Sequence, residues 1–190
     1  YAGKSDLQPL QTKPAIPAKQ PNLFNKNFQY LAADRISPKT AYDASDYYIK
    51  DLNSLGNHGE FTAHYIAEYG LEPIKLKSLQ HAKSSSLSLL DTLDKWMAEI
   101  SPGIRIRARL HSEMNSVSLG YAFEHGSEVT AEFKPQNVGF GLTFVLPVLV
   151  AILRAAPGDM LIIENPEAHL HPAGQAVLGH LCSLAAAGGV

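Results

Sequence analysis

The sequence predicts an α/β fold, and three stretches predict it. Met160 to Ile163 is a short apolar run of the kind that forms a strand buried on both faces, and acids follow at Glu164 and Glu167. Upstream, Asn137 to Thr143 carries Gly139 and Gly141, and the series Val145, Leu146, Leu149, Val150, Leu153 after it reads as a buried helix. Earlier still, Gly103 to His111 and Val117 to Phe123 alternate apolar and polar residues, as an antiparallel hairpin with one buried face does.

Size allows one core: the chain has 190 residues and is 45% hydrophobic. A single domain is expected over residues 23–190. It divides into a strand plus helical insertion (23–100), the hairpin (103–132), and a glycine-led helix, acid-ended strand and following helix (137–190). The net charge of -2 provides no general basic field, so charge does not indicate a nucleic-acid partner. Cys182 stands alone, which forbids an internal disulfide and fits a reducing cytoplasm; it reads as a small buried helix residue. No secretory segment and no apolar run of bilayer length occurs, so the expectation is a soluble cytoplasmic protein with no membrane contact.

Taken in order, residues 1–22 hold Pro9, Pro14, Pro17 and Pro21 among Lys and Gln and read as an extended or poorly ordered lead-in. Phe28 to Ala32 is strand-like, and Asp34 to Pro38 turns the chain out of it, with Asp34 and Arg35 as a local turn pair. Ser37 to Asn57 reads as a surface loop or short helical insertion; Tyr42, Tyr47 and Tyr48 suit packing better than base stacking, because no basic groove accompanies them. Glu60 to Tyr69 is helical with Gly70 as its stop, and Ser84 to Ile100 is an amphipathic helix through Leu87, Leu90, Leu93, Trp96, Met97 and Ile100.

On the hairpin, Arg105, Arg107 and Arg109 share the open face with His111. They could meet a phosphate backbone, but pairing with Glu124 or Glu128 across the hairpin is the favoured reading. Pro147 removes a hydrogen bond inside its helix and should kink it. Pro172 suits a first helical position with His171 at the cap, Val177, Leu181 and Leu184 mark a buried stripe, Gly188 and Gly189 end the helix, and Val190 reads as the start of another strand.

Several segments carry a family resemblance: Asp159 to Pro172 (DMLIIENPEAHLHP), Asn137 to Thr143 (NVGFGLT), Ala33 to Pro38 (ADRISP), Gly59 to Ala63 (GEFTA), and the Trp96 helix closing at Pro102 and Gly103. In this order they resemble prokaryotic ABC-type, P-loop AAA-family ATPases of the group related to the structural-maintenance-of-chromosomes and overcoming-lysogenization-defect ATPases. The resemblance implies a partial P-loop NTPase fold, ATP and Mg²⁺ as cofactors, and a homodimer closing head-to-tail on nucleotide. Glu164 falls where the Walker B strand has its magnesium-binding Asp, and Asn165 where the water-polarising Glu stands. An amide orients a water but cannot take its proton, so hydrolysis is slow, Glu167 is the base, or the water is only positioned.

Gly139, Phe140, Gly141 and Thr143 occupy the signature motif, which caps the γ-phosphate held by the opposite subunit; Gly139 replaces the usual serine. No GxxxxGK[ST] segment is present, so the chain is expected to be an internal or C-terminal fragment, inactive alone. Two other readings stay open. One is a metal-dependent hydrolase using His169 and His171 with Glu164 and Glu167, and the other is a non-catalytic interaction or dimerisation module.

Overall fold

The computed structural model describes residues 28–126 and 128–190. The lead-in expected over residues 1–22 lies outside them. In chain order the elements are β1 (Phe28–Leu31), β2 (Tyr42–Asp43), α1 (Thr62–Tyr69), α2 (Leu89–Ile100), β3 (Ile104–His111), β4 (Ser116–His125), β5 (Glu128–Val129), α3 (Phe140–Leu153), β6 (Met160–Ile163) and α4 (Pro172–Ala187). The fold is mixed α/β, and the described residues form one parallel and one antiparallel sheet.

Helix α3 is apolar on every side, and such a helix is stable only inside. Every residue from Thr143 to Leu153 is buried, and α3 packs against α1, α2, α4, β1 and β6. Pro147 falls where α3 meets the loop before α1. Gly59 there has φ 78°, and a Cβ on it would sit 2.6 Å from the Pro147 ring, so only glycine allows both the turn and the approach.

β1 and β6 pair in parallel from Phe28 opposite Met160 to Leu31 opposite Ile163. The ladder runs one step further, because the Glu164 N–H donates to the Leu31 carbonyl at 2.9 Å. β6 is not buried on both faces as its composition predicts. It is half-buried, with Ile162 39% exposed, since among the described residues β1 is its only partner strand.

The antiparallel sheet has the order β2-β4-β3, with β5 pairing with the end of β4. Ile104, Ile106, Val117, Leu119 and Tyr121 form its buried face, against which α1 and α2 pack. That face stops short of prediction. Leu110 is 37% exposed, at the hairpin tip beyond the covering helices. The tip is a 3₁₀ turn over Ser112–Met114 closed by Asn115 at φ 45°.

The helix expected from Ser84 begins only at Leu89. Serine hydroxyls that compete for backbone groups explain the late start. Ser88 Oγ accepts the Asp91 N–H as the N-cap, while Asp91 gathers the Ser85 and Ser86 hydroxyls and the Ser86 N–H. In the segment after β1, Tyr42 is buried and pairs within β2, a π-helical turn spans Tyr47–Asp51, and Tyr48 stacks on Phe61 at 4.3 Å. Tyr42 and Tyr48 serve packing, whereas Tyr47 is 58% exposed.

His171 caps α4 through Nδ1, which accepts the Ala173 N–H at 3.4 Å. The buried stripe of α4 is Gly174, Leu178, Leu181 and Ala185, rotated from the predicted one, so Val177 and Leu184 flank it half-buried. The Val190 N–H donates to Ala185 O and closes the helix after Gly189 at φ 92°. Among the described residues no helix is long and apolar enough to cross a membrane.

Candidate functional site

Because β6 stops at Ile163, Glu164 stands at the carboxyl end of a parallel strand, where open α/β sheets put their ligands. Its carboxylate is exposed and held from the β1 side: Oε1 accepts the Tyr30 hydroxyl at 2.8 Å and Oε2 accepts the Ala33 N–H at 3.1 Å. Accepting that bond, the carboxylate raises the Tyr30 hydroxyl's pKa above the ordinary phenol value. Among the described residues no Lys, Arg or His side chain lies within ion-pair distance of Glu164. Each oxygen keeps lone-pair capacity. A fixed, exposed carboxylate without a cation of its own suits a hard divalent ion that uses one or two carboxylates and fills its shell with water and phosphate oxygens.

Arg35 is not the turn partner of Asp34. Asp34 turns instead to His58, whose Nδ1 meets the Asp34 carbonyl at 2.6 Å, while the Ile36 N–H donates to His58 O at 2.9 Å. The ADRISP segment is therefore fastened at His58, directly before GEFTA. Arg35, 5% exposed as a residue, turns its guanidinium inward: one terminal nitrogen donates to Glu164 O and the other to Asn165 O at 3.3 Å. Its Cζ lies 4.6 Å over the Phe144 ring of α3.

The loop after β6 is shaped by two non-glycine residues in the left-handed region, Asn165 at φ 41° and His169 at φ 64°. The His169 ring stands edge-on to Phe140 at 4.9 Å and to Phe144 at 4.8 Å. Gly141 is needed for this approach, because a Cβ on it would collide with the His169 carbonyl. Gly139 differs: a Cβ there meets nothing, and Gly139 and Phe140 are exposed. A cleft of about 360 Å³ opens at this point, lined by Gly139, Gly141, His169, His171, Ala173 and Gly174. The N-terminal turns of α3 and α4 both border it, each with the positive end of a helix dipole.

The predicted residues thus fall into three groups. Glu164, Asn165 and Glu167 are exposed on one loop at the strand end. Gly139, Phe140 and Gly141 form the start of α3, joined to that loop through His169 and Arg35. Thr143 joins neither group: it is 4% exposed, with its hydroxyl inside beside that of Tyr121.

His169 is engaged in ring packing and His171 in capping, and among the described residues no group of three or more His, Cys, Asp or Glu could hold a metal ion. Two of the three hairpin arginines are paired, Arg105 with Glu124 at 2.7 Å and Arg109 with Glu132 at 2.7 Å, Glu132 taking the place predicted for Glu128; Arg107 donates instead to the Ile106 carbonyl at 3.0 Å. Sequence reasoning missed Tyr30 and the inward role of Arg35. The signal for Arg35 was its place in ADRISP, just past the strand that pairs with the acid-ended one.

A family model described as "AAA domain, putative AbiEii toxin, Type IV TA system" matches residues 22–185. Comparison with curated proteins and with solved structures gave no match.

Proposed function

The chain belongs to this AAA-domain family, whose members are of the P-loop ATPase type, and from that premise we propose that it supplies the Walker B and signature parts of an ATP-hydrolysing site. The observation that carries the reading is the cation-free Glu164 carboxylate at the end of a parallel strand, joined by packed side chains to the open start of α3. Glu164 would hold Mg²⁺. That ion, when bound, neutralises charge on the transferring phosphoryl group. Tyr30 and the Ala33 N–H fix the carboxylate's orientation. Asn165, exposed beside it, would orient a water through its amide, and Glu167, the other carboxylate of the loop, would take the proton.

At the other end of the unit, the amides of Gly139 and Phe140 would donate to the γ-phosphate of a nucleotide held by a second copy of the chain in a head-to-tail homodimer. Gly141 acts by letting the His169 carbonyl close against the helix. Thr143 serves the core. The phosphate-cradling loop GxxxxGK[ST] has no counterpart in these 190 residues, so this reading assigns it no residue here.

One residue favours a second reading. Asn165 stands where a base is wanted, which suits a site that binds nucleotide to drive assembly and turns it over slowly.

Titrating the chain with Mn²⁺ and following water-proton relaxation tests the acid. Glu164→Gln is expected to weaken binding at least about tenfold, the scale of losing one charged ligand contact. In a protein that joins this domain to a phosphate loop, the same substitution is expected to abolish Mg–ATP turnover. Unchanged Mn²⁺ affinity and unchanged turnover would overturn the assignment.

A further inference from the structure

The two halves of the site are tied by one buried cation. We propose that Arg35 is a positioning residue that couples the start of α3 to the Glu164–Asn165 backbone, so that metal at Glu164 and phosphate at Gly139–Phe140 act on each other through it. The proposal rests on the ATP-site reading above.

The geometry is specific to arginine. A planar guanidinium gives two terminal nitrogens to two successive carbonyls, Glu164 O and Asn165 O, while its face lies on Phe144. Those carbonyls lie on either side of the left-handed joint at Asn165, so Arg35 fastens the backbone that carries the acid and the amide after it. Phe144 sits one turn above Phe140, with ring centroids 5.5 Å apart, and His169 touches both rings. A shift of the first turn of α3 therefore moves the surface against which the guanidinium is stacked. The next residues to feel it are Glu164 and Asn165.

Electrostatics link the halves as well. Arg35 is buried without a carboxylate at ion-pair distance, and its Nε has no partner among the described residues. Glu167 and Glu164 nonetheless attract the guanidinium from beyond ion-pair distance. A divalent ion at Glu164 cancels part of that attraction. The hold of Arg35 on the loop and on Phe144 then loosens, which transmits metal occupancy to the start of α3. Lysine could supply the charge, but not the fork or the stack.

Hydrogen exchange on the chain, with and without Mn²⁺, tests this. In the wild type, Mn²⁺ is expected to change exchange in both residues 139–146 and residues 164–170. In Arg35→Lys, and in Phe144→Leu, which keeps the helix apolar and leaves the carbonyl bonds alone, the second segment still responds and the response of the first falls at least threefold. Arg35→Met should behave like Arg35→Lys; should it not fold, the other two variants decide. A response at 139–146 that survives both Arg35→Lys and Phe144→Leu overturns the coupling, as does a wild type in which only 164–170 responds. Glu164→Gln separates the two levels: loss of both responses upholds the metal site whatever Arg35 does, and responses that persist in it remove the site and the coupling together.

Discussion

Arginines in two regions of this protein are used in opposite ways. On the hairpin, Arg105 meets Glu124 at 2.7 Å and Asp94 at 3.4 Å, and Arg109 meets Glu132 through two bonds of 3.0 and 2.7 Å. In the interior, Arg35 and Arg154 are 5% and 8% exposed and bond to neutral oxygens. Arg154 donates to Asn53 O and Oδ1, both at 2.8 Å, and to Gln29 Oε1 at 2.9 Å, with Tyr65 under its Cζ at 5.3 Å. On the hairpin, charge is answered by charge, with the side chain of Arg105 18% exposed and that of Arg109 58%. Inside, the guanidinium is a rigid multiple donor that fastens loops to strands. The stripe that dominates the charge pattern is thus the less consequential of the two.

Removing Arg154 should break this contrast most severely. Arg154→Met removes the donor to both Asn53 oxygens and one of the two donors to the Gln29 amide oxygen, which keeps only the Leu55 N–H. Hydrogen bonds to charged groups contribute about 1.5–3 kcal/mol each and do not add fully. A loss of about 3–5 kcal/mol in urea unfolding at unchanged slope is expected. A loss below about 1 kcal/mol would mean that water replaces the guanidinium, and the interior arginines would then resemble the surface ones.

Asp94 lies between the two regions and gives the next largest effect. Its Oδ1 accepts the Ile106 N–H at 2.8 Å and its Oδ2 faces Arg105, fastening α2 to β3. Burial outweighs those partners and raises its pKa from 3.8 to about 6. Between these values the folded protein holds a proton that the unfolded chain releases, so the stabilisation is complete below 3.8 and fades as pH rises through about 6. The swing is on the order of 2–3 kcal/mol. Asp94→Asn should remove that part of the pH dependence, seen as a difference from wild type in unfolding free energy that changes between pH 4 and pH 7. A difference constant across that range would show that Asp94 is ionised in both states.

What could be read from the sequence follows from range. The acid-ended strand, the buried helix and the hairpin declare themselves through local periodicity, and Glu164, Gly139 and Gly141 through their positions at the ends of those elements. Arg35 does not, because its partners lie 129 and 130 residues away and its neighbours in sequence suggest only a turn. The half-burial of β6 depends on how many strands flank it, which no run of four residues encodes. Thr143 reads as a phosphate ligand until the phase of α3 against the antiparallel sheet turns its hydroxyl inward. Gly141 was legible as a close approach, but its partner, the His169 carbonyl, was not. The serines before α2 were read as helix because the apolar spacing continues through them, whereas their hydroxyls stop it.

The smallest expected effect belongs to Arg109. Its pair with Glu132 is bidentate, yet Arg109 is 58% exposed at the side chain and Glu132 33%. Glu132 reaches it by crossing β4 over Gly120, where a Cβ would displace the carboxylate. Arg109→Ala leaves both partners' sites open to water, so nothing buried loses a bond, and the change should stay below about 1 kcal/mol. Because both charges face solvent, the difference between variant and wild type should shrink further in 0.5 M salt, where screening acts within a few ångströms. Unfolding both proteins at low and high salt checks this. A loss above about 2 kcal/mol, or one insensitive to salt, would mean that the crossing of Glu132 over Gly120 anchors the residues leading into α3, and the hairpin arginines would then belong with Arg35 and Arg154.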